Sequence, residues 1–422
     1  MTRSIFCWCI LFLFVANVTI AQNRLRDRWQ DRTPLFDNIV GNVGEQPPQT
    51  EFVFNLYRTV VKDKTEDDAN TNVAVSPYGV QKILDLTRFG AVGETRTEIE
   101  RVLGYSRSFR WESSSDGTLS TAAALWTQRG YSLQPAFLQT ARQNFGSSVE
   151  PLDFANNPEA AVRRINAWCS EQTRGKIPEI LADLDTMTRL VLANAVYFAA
   201  DWKEPFDPSY TGDFTLQDGT KMQTDLMWQF DDMRYGETVD TLILELPYKE
   251  PGRERLLGQR LRDNRPSTYS MLLLLPKDPA EFAKWEAAMT LQKWNALRRT
   301  MRMELVDMRM PKFTMESDIN LKGPLMQLGM TTAFDAGNAD FSRINGRRDL
   351  FVGQALQKTF VKVDETGTEA AAVTAVAIAM SAAPDEDPVP PKEFYADRPF
   401  LYAIVKGDTI LFLGRFVKPD GE

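Results

Sequence analysis

The side chains that most enzymes use to move protons or bind metals are missing from this chain. Its 422 residues include no histidine and three cysteines, so no Ser-His-Asp or Cys-His arrangement, histidine-ligated zinc or histidine proton shuttle can be assembled. There is no Gly-rich phosphate loop either. An enzyme is the reading the residues support least, and no cofactor or metal is expected. What does carry a chemical possibility is a peptide. From Val363 the chain reads Val-Asp-Glu-Thr-Gly-Thr-Glu-Ala-Ala-Ala-Val-Thr-Ala-Val-Ala-Ile-Ala-Met-Ser-Ala-Ala, ending at Ala383. Its alanines favour helix, whereas Val373, Thr374, Val376 and Ile378 favour strand, and Pro384, Pro388, Pro390 and Pro391 then impose extended, solvated backbone. Read with period two, Thr368, Ala370, Ala372, Thr374, Val376 and Ile378 share one face of a strand. None is charged and the first four are small, so that face can slide between existing strands without burying a charge. The same composition also suits a flexible Ala-rich connector.

A segment of this kind needs a folded body to act against. With 43% hydrophobic and 25% charged residues the chain has the composition of a globular protein. Forty-nine Lys and Arg against 57 Asp and Glu leave a net charge of −8, so nucleic acid is not an expected partner. Residues 1–21 place Arg3 before an apolar stretch and close on Thr19, Ile20 and Ala21, the pattern of a secretory signal peptide; a secreted, extracellular protein with no membrane partner is expected. Cys7 and Cys9 would leave with the signal, so Cys169 is expected to be alone and to act as a small buried hydrophobe. Residues 22–49 read as a polar tail, and 50–422 as one domain.

Within that domain the spacing predicts helices from Glu51, from Pro77 to about Phe89, over 94–103 with Gly104 as the stop, and over 158–173. Strands are predicted over 122–127, 241–246, 269–275 and 303–310, with β-rich stretches over 350–363 and 401–417. The continuous run 190–199, apolar but for Asn194, predicts a strand buried on both faces. Helices early and strands late, with no strict βαβ period, favour an α+β architecture with large antiparallel or mixed sheets.

Several short motifs, in order, make the sequence recognisable. Ser76-Pro77, Gly90-Ala-Val-Gly-Glu-Thr95, Ile165-Asn166-Ala-Trp168, Thr173-Arg-Gly-Lys-Ile177, Leu192-Ala-Asn194-Ala-Val-Tyr197-Phe198 with Trp202, Pro311-Lys312-Phe313 and Asp397-Arg-Pro-Phe400 match landmarks of one family, and Glu365-Thr-Gly-Thr-Glu-Ala-Ala-Ala matches its hinge. Over nearly all of the mature chain the sequence resembles the serpins, the serine protease inhibitor family. The resemblance implies an α+β fold with three β-sheets and about eight or nine helices, carrying an exposed reactive-centre loop over about 365–391. In that family a protease takes the loop as substrate and forms an acyl-enzyme. The cut loop then enters the main sheet as a new strand and traps the enzyme.

Transferred residue by residue, the hinge is Glu365, Gly367, Thr368, Glu369, Ala370, Ala371 and Ala372, while Ser76, Asn194, Trp202 and Gln357 occupy the shutter and breach of the main sheet. Counting along the loop as the family does from Glu365 places the scissile bond at Ser381-Ala382, and a loop one residue shorter selects Met380-Ser381. No Lys or Arg occurs over 363–391, so an acidic trypsin-like pocket has nothing to pair with, and elastase-like or chymotrypsin-like serine proteases are the expected targets. The hinge, uncharged on its inward face and free of Pro, favours an inhibitor, expected to be a monomer, over the alternative, a non-inhibitory binding, carrier or storage protein on the same scaffold. Two departures from the family pattern stand out. Gln357 replaces the usual histidine, and the segment between Leu103 and Leu119 is too short for the helix that often binds heparin, so heparin activation is not expected. The Arg-rich stretch 253–265 also holds Glu254 and Asp263 and reads as a solvated loop before a polyanion site.

Overall fold

The computed structural model describes residues 47–63, 70–107, 109, 111, 118–249, 267–368 and 390–419. The signal segment, most of the polar tail, the 253–265 stretch, hinge residues Glu369, Ala370, Ala371 and Ala372, and the bond residues Met380, Ser381 and Ala382 lie outside the described residues. Every element below belongs to one compact unit, Pro48–Ser106 with Trp111–Glu422; Pro47, Arg107 and Phe109 lie in the other.

The helices in chain order are α1 (Phe52–Lys62), α2 (Pro77–Gly90), α3 (Gly93–Leu103), α4 (Pro135–Phe145), α5 (Pro158–Gln172), α6 (Phe282–Ala287), α7 (Leu291–Thr300), α8 (Lys322–Gln327) and α9 (Ser342–Asn345). The strands are β1 (Val73–Val75), β2 (Leu119–Gln128), β3 (Ser148–Leu152), β4 (Leu190–Phe198), β5 (Ala200–Asp201), β6 (Asp207–Thr215), β7 (Lys221–Glu237), β8 (Thr241–Pro247), β9 (Tyr269–Pro276), β10 (Arg302–Pro311), β11 (Phe313–Asn320), β12 (Val352–Val363), β13 (Gly367–Thr368), β14 (Lys392–Tyr395), β15 (Phe400–Lys406) and β16 (Thr409–Phe416). Among the described residues they form an α+β fold with three sheets. One has nine strands, in the order β1-β16-β15-β9-β8-β7-β10-β14 with β6 beside β7; one has five, in the order β11-β12-β4-β2-β3; the third is the pair β13-β5. The expected division into early helices and late strands is too simple, because β2, β3 and β4 precede the four helices α6 to α9.

Local chemistry sets the helix ends. Pro77 supplies the fixed φ of a first helical residue, and Ser76 Oγ accepts the Gly79 N–H at 3.1 Å, so α2 starts where the Ser-Pro pair predicts. α3 stops at Gly104, which takes the left-handed conformation with φ of 75°. At the start of α5, Asn157 accepts the Ala160 N–H and Pro158 follows.

The five-stranded sheet is sandwiched. Val191, Ala193, Ala195 and Tyr197 of β4 join Trp126 of β2 and Ile165, Trp168 and Cys169 of α5 in one apolar cluster. On the opposite face α2 lies so close that a Cβ at Gly79 would run into the Asn194 side chain and Val196. Every residue of β4 is buried, as the apolar run implies. Cys169 is fully buried in the cluster, where burial pushes its thiol up to about 12.

Candidate functional site

A strand covered on both faces has little room for a polar side chain, so Asn194 in the middle of β4 calls for an account of its hydrogen bonds. Its neighbour in the sheet is β12, which runs parallel to β4 and sets Gln357 directly opposite Asn194. Gln357 is fully buried and fully used. Its Oε1 accepts the Ser76 N–H at 2.8 Å, and its Nε2 donates to the Ser76 carbonyl at 2.9 Å and to Asn194 Oδ1 at 2.8 Å. Asn194 Nδ2 in turn donates to the Ala122 carbonyl of β2 at 2.9 Å, and Ser76 Oγ donates to the Leu411 carbonyl of β16 at 2.7 Å. Three residues picked out by the resemblance therefore form one network joining β2, β4, β12, β16 and the start of α2. An amide can fill this place because it donates and accepts at once.

Beside this network α2 inserts a cation. Lys82 is 2% exposed and donates to the Thr121 carbonyl of β2 at 2.8 Å; burial pulls its ammonium from the ordinary 10.5 down to about 8. Sequence reasoning passed over Lys82 because a lysine in an amphipathic helix normally marks the solvent side.

At the upper end of β12 the chain reverses. Asp364 Oδ1 accepts the N–H groups of Thr366 at 3.0 Å and Gly367 at 3.2 Å and the Thr366 hydroxyl at 2.7 Å, while the Asp364 N–H donates to the Gly367 carbonyl at 2.9 Å. This is a side-chain-built turn of the kind Asp forms, and the Asp-x-Thr-Gly spacing carries its signal. The turn sends Gly367 and Thr368 back as β13, paired antiparallel with Asp201 and Ala200 of β5. The approach is so close that a Cβ on Gly367 would strike the Ala200 carbonyl and Asp201 Cα.

Trp202 clasps the turn from the side. Its backbone N–H donates to the Thr366 carbonyl at 2.9 Å and its indole Nε1 to the Asp364 carbonyl at 2.9 Å. The ring stacks on Tyr248, with centroids 4.5 Å apart. The Tyr248 hydroxyl lies 2.8 Å from Thr368 Oγ1, so the first inward residue of the hinge is already seated on a buried partner. Burial raises the Tyr248 phenol well above its usual value, and it stays protonated. Glu365 reaches Lys312 Nζ at 3.3 Å, and Lys312 also meets Asp225 at 3.1 Å.

Burial alone would raise the carboxyls of Glu365 and Asp364, but hydrogen bonds and the nearby Lys312 and Lys362 outweigh it, so both sit below the usual carboxylate range. Tyr248 and Asp364 were not singled out by sequence, and Lys312 only as part of the Pro311-Lys312-Phe313 motif. Only Asp364 had a local signal, since Tyr248 meets Thr368 across 120 residues of sequence.

The fold and site together define a class of protein: a mixed α+β body whose five-stranded sheet has a parallel seam between β4 and β12, with a reversed hinge held at its upper end. The sequence matches the model of the family described as Serpin (serine protease inhibitor) over residues 47–419. It is 36% identical over 386 residues to an uncharacterized serpin-like protein of Thermococcus kodakarensis, covering 87% of this chain and 84% of that one. It is 32% identical to the leukocyte elastase inhibitor of Xenopus tropicalis, covering 88% and 98%. Among solved structures it is similar to Serpin48 of the insect Tenebrio molitor, with a TM-score of 0.72 at 29% identity, covering 88% of this chain and 96% of that one. The chain belongs to the serpin family, whose members are mostly protease inhibitors and not catalytic enzymes.

Proposed function

We propose that this protein is a secreted suicide-substrate inhibitor of elastase-like or chymotrypsin-like serine proteases. The observation that carries the reading is the hinge. The chain has already turned back at Asp364, and Gly367 and Thr368 are paired antiparallel to β5, just past the end of β4. A strand continued from Thr368 would enter the seam antiparallel to both β4 and β12, replacing one parallel pairing with two antiparallel ones. Ala370, Ala372 and Thr374 would follow Thr368 on the inward face and bring no charge with them.

A protease cutting at Ser381-Ala382, or at Met380-Ser381, frees that strand while still esterified to it, and insertion carries the enzyme away before water reaches the acyl bond. The target class follows from the small or apolar residue at the cut and the lack of any cation over 363–391. Secretion follows from the pattern of residues 1–21.

Incubation with elastase-like, chymotrypsin-like and trypsin-like enzymes, followed by denaturing gels and terminal sequencing, tests the reading. The expected product is a covalent adduct with the first two classes; adduct with the trypsin-like enzyme alone refutes the target class. Thermal unfolding before and after nicking between Ala377 and Ala383 tests insertion itself. A large rise in melting temperature is expected, and no rise supports the carrier or storage alternative.

A further inference from the structure

A guanidinium drawn out of water needs acceptors, so a place where arginines outnumber the acids beside them calls for an account. One lies where α2, α3 and α9 meet. Arg88 of α2 is buried and gives Nε and Nη2 to Asp85 Oδ1 at 2.9 and 2.7 Å, and Nη1 to Glu100 Oε1 at 3.0 Å. Arg96 of α3 gives its Nε to the same Glu100 oxygen at 2.8 Å. The third guanidinium, on Arg343 of α9, lies within electrostatic range of Arg96, Arg88 and Glu100. Its Nη1 is buried without a hydrogen-bond partner, and it forms no ion pair among the described residues. The acid nearest to it in sequence, Asp340, is already engaged, with Arg348 at 3.1 Å and with the Ser342 N–H at 3.1 Å.

Two carboxylates thus serve three guanidiniums. Burial, and after it the charges of Arg96 and Arg88, pull the Arg343 guanidinium below its ordinary 12.5, with Glu100 opposing them. An arginine still keeps its proton at neutral pH, so the imbalance persists as positive charge. The backbone gives no relief. Ile344 packs so tightly on α2 that a Cβ at Gly90 would strike it, and Asp340 is tied to the start of α3. Its N–H donates to Thr95 Oγ1 at 2.9 Å, and its carbonyl accepts the Val92 N–H at 2.9 Å. α9 is therefore held against the arginines it repels.

Access is from solution. The Arg96 and Glu100 side chains are 24% and 22% exposed and Arg343 is half-buried, whereas Arg88 is closed off. The group that completes such a set is an acceptor able to meet two forks at once. A tetrahedral oxyanion does this, because each guanidinium can grip two of its oxygens, whereas a halide offers a single centre.

We infer that Arg96 and Arg343 form a binding site for a small oxyanion, phosphate or sulfate, between α3 and α9, with Arg88 and Glu100 behind it. The site stands apart from the hinge and does not depend on the inhibitory reading. Filling it turns a repulsive contact into one that ties α2, α3 and α9 together, and the folded state gains by mass action.

The test titrates inorganic phosphate into wild type, Arg343→Gln and Arg343→Lys by calorimetry at constant ionic strength, with chemical unfolding followed in parallel. Wild type is expected to bind a single phosphate with a Kd of about 1 mM, so about 10 mM raises the ratio of folded to unfolded protein about tenfold over chloride. Arg343→Gln is expected to lose the binding and, without phosphate, to be at least as stable as wild type, because a repelled charge has gone. Arg343→Lys keeps the charge without the fork and is expected to bind at least about fivefold more weakly. Phosphate also stabilises proteins by exclusion from their surfaces, an effect common to all three. Equal stabilisation of the three, with no binding heat in wild type, overturns the site. Arg343→Gln that binds phosphate as wild type does overturns it as well. A sulfated polysaccharide is the second arm: if it binds wild type and not Arg343→Gln while phosphate binds neither, the arginines serve a polymer and the free-ion site is overturned.

Discussion

Replacing Gln357 with alanine strikes the bond that crosses the seam. In the stored form Gln357 satisfies the Ser76 N–H and Asn194 Oδ1 and shares the Ser76 carbonyl with the Val80 N–H, so truncation leaves the first two groups without their partner in a fully buried place. A buried group left unpaired costs roughly 1–3 kcal/mol. Only the bond to Asn194 joins β12 to β4 and must break before a strand can enter, so the smallest effect on the opening barrier is about 1 kcal/mol, near fivefold in rate. If α2 also releases β12 as the seam parts, the two groups together contribute about 2 kcal/mol, near 30-fold. The assay holds the protein below its melting temperature and follows two quantities together, loss of inhibitory activity and gain of a monomer that resists heat. Gln357→Ala is expected to interconvert between about fivefold and about 30-fold faster than wild type. A double-mutant cycle with Asn194→Ala is expected to show coupling of at least about 0.5 kcal/mol, as hydrogen-bonded neighbours do. A conversion rate within a factor of about two of wild type, in a variant whose melting temperature has fallen, refutes the idea that this network restrains the seam.

Further outcomes follow from other residues. Lys82→Met removes a buried cation: a fall from 10.5 to about 8 corresponds to about 3 kcal/mol, so the variant is expected to be the more stable at pH 7 by up to that amount. The unfolded lysine keeps its proton up to about pH 10.5 and the folded one releases it near 8, so wild-type stability gains across that window and the variant's advantage fades there; equal stabilities at pH 7 in chemical denaturation would refute the assignment. Gly367→Ala pushes a methyl into the Ala200 carbonyl, and the displaced hinge is expected to raise the number of inhibitor molecules consumed per enzyme; an unchanged stoichiometry with the same protease speaks against the pairing as the start of insertion. Ser381→Arg is expected to create adduct with a trypsin-like enzyme, and if Met380→Arg does so in its place, the bond cut is the earlier one.

How much of this was legible in the sequence depended on how strongly each element declares its period. The run in β4 and the Ser-Pro start of α2 are unambiguous, because a doubly covered strand must be almost wholly apolar, as β4 is but for Asn194, and a Ser-Pro pair caps itself. α4 and α7 escaped notice, since each buries only a narrow stripe, Phe137, Ala141 and Phe145 in one and Trp294 and Leu297 in the other. β7 was hidden for the opposite reason: its outward face carries Trp228 and Phe230, so alternation of apolar and polar residues is blurred along it. β11 alternates buried and exposed without a break, and its signal lay in plain view. For the site, the resemblance located Gln357, Ser76, Asn194 and Trp202. The partners that complete the hinge, Tyr248 and Lys312, come from distant parts of the chain, and no local pattern announces a contact made only by folding.

The catch on the stored form is made of an amide, a second amide and a serine, in a chain that holds no imidazole anywhere. The carboxylates at the hinge ionise below their ordinary range and Lys82 releases its proton only near pH 8. Between about pH 5 and 7, then, acidification finds little in this latch to protonate. The lifetime of the cocked molecule should be nearly the same in an acidified fluid as in a neutral one, leaving contact with a protease, and not the surrounding medium, to release it.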